Sequence, residues 1–393
     1  MTIIEKIVSK NVNKTVKTGD RIFVDLSLVA MRDFGGPNVI LGYRKEFDDH
    51  PPFDRDRVVI TFDLHTPPRN EKVAQNQHLL RDVAKKWGVR ILEHGVGQHR
   101  IFEEGLVKSY DIIIGTDSHM NLLSAFGAFA FGVGTTDIVG AVYSGRCWIR
   151  VPKTIKILIR GEMGKGSTAK DLILFIVGKL GTDGLLGYAG EFYGFPERFA
   201  VHERITFLSM ITEMSGDIGF IPSTDLMPDN PVYEQETEID CSGLPPMIAC
   251  PHSPGNVRPV AEVAGRRIDQ VFIGSCTNGR FEDFLMAAKI LKGRKVKSRL
   301  ICVPATRQVL LKMVKSGVYL DLVESGAVIA NPGCSLCTTG HPGILAPGEV
   351  MVSTSNRNFV DKLGKGGEVY LASPKTAAAT ALTGTITDPA SLV

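Results

Sequence analysis

Residues 328–358 read VIANPGCSLCTTGHPGILAPGEVMVSTSNRN. The short apolar run at the front ends in Asn331-Pro332-Gly333, which must turn, and Cys334 and Cys337 follow at C-x-x-C spacing. A second apolar run, Glu349 to Ser353, ends in Asn356-Arg357-Asn358. Further upstream, Val271-Phe272-Ile273 runs into Cys276 within IGSCTNGR. Short apolar runs bounded by turn residues predict buried strands, so three thiols and a guanidinium are delivered from strand ends. Thiolates are soft ligands, and a structural zinc normally takes four protein ligands. Taken bare, the three cysteines leave four readings open: an iron–sulfur centre with one open position, zinc, a redox dithiol, or buried apolar residues.

The N-terminal part repeats the pattern with other chemistry. Val58 to Phe62 ends in Asp63-Leu64-His65, and Ile112 to Ile114 ends in Gly115-Thr116-Asp117-Ser118-His119. Between them, Val89 to Leu92 leads into GVGQHR, which carries His99. A helix is predicted over 72–87, with apolar residues on one face and Gly88 as its stop. Strand–loop–helix alternation implies an α/β fold, in which polar groups beyond the carboxyl ends of parallel strands face the ligand crevice. Asp63, Asp117, Cys276, Cys334 and Asn356 all hold that sequence position. A carboxylate beside an imidazole fixes its tautomer and raises its pKa, which suits proton transfer to a leaving hydroxyl. Glu191, inside YAGEFYG, is a carboxylate in aromatic surroundings, where desolvation raises the pKa. Arg357, between two asparagines, suits a bidentate grip on a carboxylate.

The rest of the 393-residue chain sets bounds. Its length predicts two or three domains. A net charge of +3 without a basic run argues against nucleic acid. No apolar run reaches the roughly 18 residues of a membrane span. The start, MTIIEKIVSKNVNK, lacks a signal-peptide pattern, so a reducing cytoplasm is expected. There, Cys147, Cys241, Cys250 and Cys302, which have no motif around them, read as buried structural residues. Residues 222–259 are proline-rich and read as a linker. Residues 44–56 read as a surface loop.

Together, GTDSH (115–119), IGSCTNGR (273–280), NPGCSLC (331–337), LAPGE (345–349) and STSNRNF (353–359) resemble the aconitase superfamily, in particular its isopropylmalate isomerase and homoaconitase branch. The likeness of order and spacing covers nearly the whole chain. It implies three α/β domains around a central cleft, at 1–150, 151–232 and 233–393, the last carrying the cysteines. It implies a [4Fe-4S] cluster on Cys276, Cys334 and Cys337, with one iron lacking a protein ligand and acting as Lewis acid. The implied reaction is dehydration and rehydration of a small hydroxy di- or tricarboxylic acid, foremost 3-isopropylmalate, with homoaconitate or a methylated malate as alternatives. A non-catalytic iron–sulfur sensor or RNA-binding relative is the other class. Asp63, His65, His99, Asp117, His119 and Glu191 are the implied catalytic residues. Arg32, Ser118, Asn278, Asn356, Arg357 and Lys362 are the implied substrate contacts. The family's mobile fourth (swivel) domain has no counterpart in this sequence, so a separate small subunit is expected to supply the base serine and further substrate contacts.

The sequence departs from the family pattern at four places, one of them Ser335-Leu336, where Gly-Pro or Gly-Ala is commoner between the thiols. Leu64 separates Asp63 from His65, where the family has Asp-His, so either His65 takes over as acid or that step is changed. Lys362 stands near a family arginine and cannot make the same planar fork. Arg32 stands where Gln or His is usual.

Overall fold

Strands such as Val58–Thr61 and Ile112–Gly115 are buried at every position, as suits parallel strands covered on both faces. The computed structural model describes residues 1–338 and 341–392. It places these two strands in a five-stranded parallel sheet ordered Arg90–Leu92, Val58–Thr61, Leu28–Arg32, Ile112–Gly115, Phe129–Gly132. The chain starts in the middle, builds outward to one edge, then returns to build the other. The loops after Leu28–Arg32 and Ile112–Gly115 therefore part at the point where strand order reverses, and open a crevice there.

A seven-stranded sheet repeats this order. Its parallel part runs Val328–Ile329, Arg299–Val303, Gln270–Gly274, Val350–Ser353, Glu368–Ala372, and the reversal falls beside Gln270–Gly274. The Cys276 and Asn356-Arg357 loops part at that second crevice. A four-stranded parallel sheet lies between these two in sequence, ordered Ile218–Phe220, Tyr188–Gly194, Lys153–Arg160, Gln235–Asp240. Its core is continuous with that of the seven-stranded sheet, since Ile157, Phe192 and Phe207 share one cluster with Phe272, Met351 and Leu371. The predicted helix forms as Glu71–Trp87, where Asn70 accepts the Val73 N–H at 3.0 Å and Gly88 stops it at φ 70°.

The carboxyl ends of the first and the seven-stranded sheets face each other. Val96 N–H donates to Ala305 O at 2.7 Å and Cys334 N–H to Asp63 O at 2.8 Å, and Cys276 packs with Val96, Ile101 and Ile113. The four motif-free cysteines are buried and unbridged, as expected. Among the described residues, no helix is long and apolar enough to cross a membrane.

The linker expected over 222–259 is corrected by three strands. Gln235–Asp240 joins the four-stranded sheet, while Met247–Ala249 and Val257–Pro259 extend the seven-stranded one antiparallel. Just past the expected boundary at 232/233, Gln235 pairs in register with Ile155. Gln235–Asp240 and Val257–Pro259 lie at sheet edges, where exposure and nearby proline hide the usual apolar signal, and the buried Met247–Ala249 is only three residues long. The loop expected over 44–56 begins late, because the helix Gly36–Phe47 covers its start.

Candidate functional site

The two crevices meet in a cavity of about 190 Å³ lined by Arg32, Asp117, Ser118, His119, Cys334, Cys337, Asn356, Arg357 and Lys362, with Leu64 and Phe34 as its large apolar members. The cysteines come from two loops. Cys276 and Cys334 are buried, and the Cys337 thiol interacts with both. Contact with Cys337, then burial, raises the Cys334 thiol pKa; contact with Cys276 heads the causes that raise Cys337. Ser275, before Cys276, and Ser335, after Cys334, sit in left-handed backbone at φ 73° and 48°, a conformation concentrated at functional turns. A Cβ on Gly333 would lie 2.7 Å from Asp63 O. Only glycine lets the Cys334 N–H reach that carbonyl.

Among the described residues, no three His, Cys, Asp or Glu side chains close on a single-ion position. The donor set instead fits an iron–sulfur group. Three soft thiols line up in one place. Asn356 Oδ1 accepts from the Thr277 hydroxyl and lies 3.6 Å from Cys276 Sγ, while its Nδ2 is buried with no partner. A spare buried N–H beside thiolates is a donor that cluster sulfur accepts.

Around the thiols lies a lattice of charge. Arg32 contacts Asp63 at 2.8 Å and also pairs with Asp117. Asp63 Oδ2 accepts the Gly97 N–H at 3.0 Å, at the start of the helix Gly97–Glu103. Asp117 Oδ1 accepts the His119 N–H at 2.7 Å. His119 Nε2 lies 2.9 Å from Glu213 Oε1, and Arg357 Nε donates to both Glu213 oxygens at 2.9 and 3.1 Å. Ser118 Oγ lies 3.3 Å from Arg357 Nη2. Gly132, on the neighbouring strand, has no Cβ to collide with Asp117 O, so the loop can fold down there. Burial works against charge on His119, but Asp117 and Glu213 outweigh it and raise its pKa. Burial also pushes Asp117 upward, yet Arg32 and His119 hold it well below the usual carboxylate range. His119 therefore lies between two carboxylates that favour its protonated form.

The structure brings Arg32, Asp117, Ser118, His119, Asn356, Arg357, Lys362 and the cysteines together. Asp63 lies behind the cavity wall against Arg32, and four further expected residues fall elsewhere. Glu191 is away from this cavity: its Oε1 accepts the Ile3 N–H at 2.6 Å, and its Oε2 accepts from Tyr193 and Tyr233 at 2.6 and 2.8 Å. Its aromatic neighbourhood is a cap for the helix Ile3–Val12. Asn278 donates to Thr206 Oγ1 and Asp283 Oδ1 and so braces the Cys276 turn from behind. His99 lies behind it too, with Nε2 2.8 Å from Cys276 O; burial, then Arg280, lowers its pKa to about 3. His65 points to a separate cavity, stacked on His341 with centroids 4.9 Å apart, and Leu64 takes the place facing the thiols.

Three residues were missed. Glu213 sits in the 3-10 segment Met210–Met214 among buried Met210, Ile211 and Met214, and a lone acid on an apolar face was its only signal. Asp33 accepts backbone N–H groups of Asp63, Leu64 and His65. Lys170, fully buried, donates to Thr354 O and Ser355 O and so braces the Arg357 loop; burial lowers its pKa to about 8.

A model of the Aconitase family (aconitate hydratase) matches residues 5–229 and 225–384. A 3-isopropylmalate dehydratase large subunit 1 of Methanopyrus kandleri is 39% identical, over 99% of this chain and 98% of its own. A homoaconitase large subunit of Thermus thermophilus is 40% identical, over 100% and 98%. Among solved structures, aconitase X of Thermococcus kodakaraensis (holo-form) matches with a TM-score of 0.55 at 12% identity, over 86% of this chain and 84% of that one. That last likeness is one of fold.

Proposed function

Because this chain belongs to the aconitase family, and is a hydro-lyase on the strength of its relatives, we propose that it is the large subunit of an isomerase that removes water from 3-isopropylmalate and adds it back. The observation that carries the reading is one pocket lined by thiols, by an imidazole that lies between Asp117 and Glu213, and by a guanidinium whose Nε is held by Glu213 and whose Nη2 touches Ser118. Cys276, Cys334 and Cys337 would hold a [4Fe-4S] cluster, with one iron free of protein ligands. When bound, that cluster supplies Lewis acidity toward the departing hydroxyl.

The chain's own residues do the rest. His119, kept charged by Asp117 and Glu213, gives its Nδ1 or Nε2 proton to the leaving oxygen and recovers it in the reverse sense. Arg357 grips a substrate carboxylate through its terminal nitrogens, and Glu213 fixes the plane of the fork. Lys362 attracts a second anionic group. Arg32, tied to Asp63 and Asp117, holds the floor rigid and keeps Asp117 ionised.

The words "large subunit" in the relatives' names support a separate small chain, which we assign the base serine and part of the substrate contacts. A second reading, homoaconitate as substrate, rests on the Thermus relative at 40% identity. The test is anaerobic co-purification with a candidate small subunit, iron–sulfur absorbance, and hydration of 2-isopropylmaleate against cis-homoaconitate. Turnover of the first diacid supports the proposal, and turnover of the second alone selects the second reading. An intact chromophore without turnover of any diacid rejects both. Cys276→Ser should lose the chromophore, and full iron retention would remove it from the ligand set.

A further inference from the structure

The cavity has an apolar side that the reaction does not use. Leu64 is only 3% exposed, yet it lines the 190 Å³ space beside the thiols, with Phe34 at the mouth. Both come from loops of the first sheet, after Leu28–Arg32 and Val58–Thr61. The orientation of Leu64 is enforced. Asp33 accepts the N–H groups of Asp63, Leu64 and His65 at 3.4, 3.2 and 3.4 Å, and Gln77 Nε2 ties Asp33 to His65 O. The loop therefore cannot turn by one residue to present His65.

The charges in the same space are mostly spent. Arg32 is held by two carboxylates. Arg357 uses Nε on Glu213, and its terminal nitrogens carry only a 3.3 Å contact from Nη2 to Ser118 Oγ. Lys362 has no ion-pair partner among the described residues. One lysine and half a guanidinium serve two carboxylates. A third would face Leu64 and Phe34, or Asp117, and would be desolvated without a partner.

Resting on the hydro-lyase reading above, we propose that Leu64, with Phe34, is the specificity wall of the pocket. It selects a hydroxydicarboxylate that carries an apolar branch and rejects one that carries a third carboxylate. The branch packs on Leu64, and the two carboxylates take Arg357 and Lys362.

The test uses the cluster-replete two-chain complex and compares kcat/KM for hydration of 2-isopropylmaleate, maleate and cis-homoaconitate. The wild type should prefer isopropylmaleate to the tricarboxylate by at least about 10-fold, the scale on which pockets read a small apolar group. Leu64→Asn, alike in branching but smaller and polar, should lower the isopropylmaleate-to-maleate ratio by about 10-fold, mainly through KM. Leu64→Met should keep most of the ratio. Melting temperature and iron content of both variants show whether each is folded and loaded. A wild type that favours the tricarboxylate, or a Leu64→Asn variant that slows both dicarboxylates equally, overturns the wall while leaving the hydro-lyase reading intact. A complex that hydrates none of the three overturns that reading and the wall with it.

Discussion

Asp63-Leu64-His65 and Asp117-Ser118-His119 are the same three-residue pattern at the end of the same kind of strand, two strands apart in one sheet. They end in opposite roles. In the second, Asp117 accepts the N–H of its own loop, which curls the chain so that His119, on the pocket wall, meets buried Glu213. In the first, the loop's N–H groups are taken by Asp33 from a neighbouring strand end, so Asp63 is free to meet Arg32, Leu64 faces in, and His65 faces out to His341. The carboxylate that accepts the loop's N–H groups decides which side chain reaches the chemistry. Titration follows the same division: Asp117 and Glu213 raise the pKa of His119, whereas burial, then Arg69, lowers that of His65.

The sharpest way to break this contrast is to remove what supports His119. Glu213→Gln should cost about 10²- to 10⁴-fold in kcat, the usual worth of a positioned proton donor, with iron content unchanged. A loss below about 10-fold would mean that the second loop owes its role to something other than this carboxylate. Arg357→Lys is expected to cost less, about 10- to 100-fold, and to appear first in KM, because lysine keeps the charge but not the fork on Glu213 and the substrate. Steady-state kinetics on one diacid separate the two effects. If KM stays flat and kcat falls, Arg357 acts on His119 through Glu213 and does not grip the substrate.

Much of this was legible in the sequence because it rests on short-range rules. Apolar runs ending in turns located the strands, and the motif residues fell at the carboxyl ends that a parallel sheet directs to its crevice. What was not legible depends on partners far along the chain. Glu213 reaches His119 across 94 positions and Arg357 across 144, with no local pattern to announce it. Glu191 shows the converse: its aromatic setting desolvates it, as the sequence suggests, but the segment it contacts is the N-terminal helix, 188 positions away. The choice between Leu64 and His65 turned on Asp33, whose sequence surroundings gave no sign that it binds a neighbouring loop.

Stability should carry the contrast with opposite sign. His119 has a raised folded pKa, so what it adds to stability is fully present below about pH 6.5, its unfolded value, and is lost as pH rises through the folded value. His65 has a lowered folded pKa, so its contribution is present above about pH 6.5 and is lost as pH falls. Melting temperatures at pH 5.5 and 7.5 check this. The gap between wild type and His119→Asn should widen at the lower pH, and that between wild type and His65→Asn should narrow. A common direction for both variants would show that the two imidazoles share one environment.

The smallest expected effect is the most diagnostic of the first loop. His65 Nδ1 is buried without a hydrogen-bond partner, and its ring stacks on His341 at an interplanar angle of 27°. Phenylalanine keeps a flat ring for the stack and removes the unpartnered nitrogen, and such an exchange is close to neutral or stabilising, up to about 1 kcal/mol. It leaves the Asp33 contacts untouched, because those engage the backbone. His65→Phe should therefore change kcat by less than about 3-fold, against the 10²-fold or more expected when a proton donor is lost, and should not lower the melting temperature. A large loss of kcat in a folded, iron-replete variant would show that His65 turns inward during turnover and takes the acid's place from the loop where Leu64 now faces the pocket.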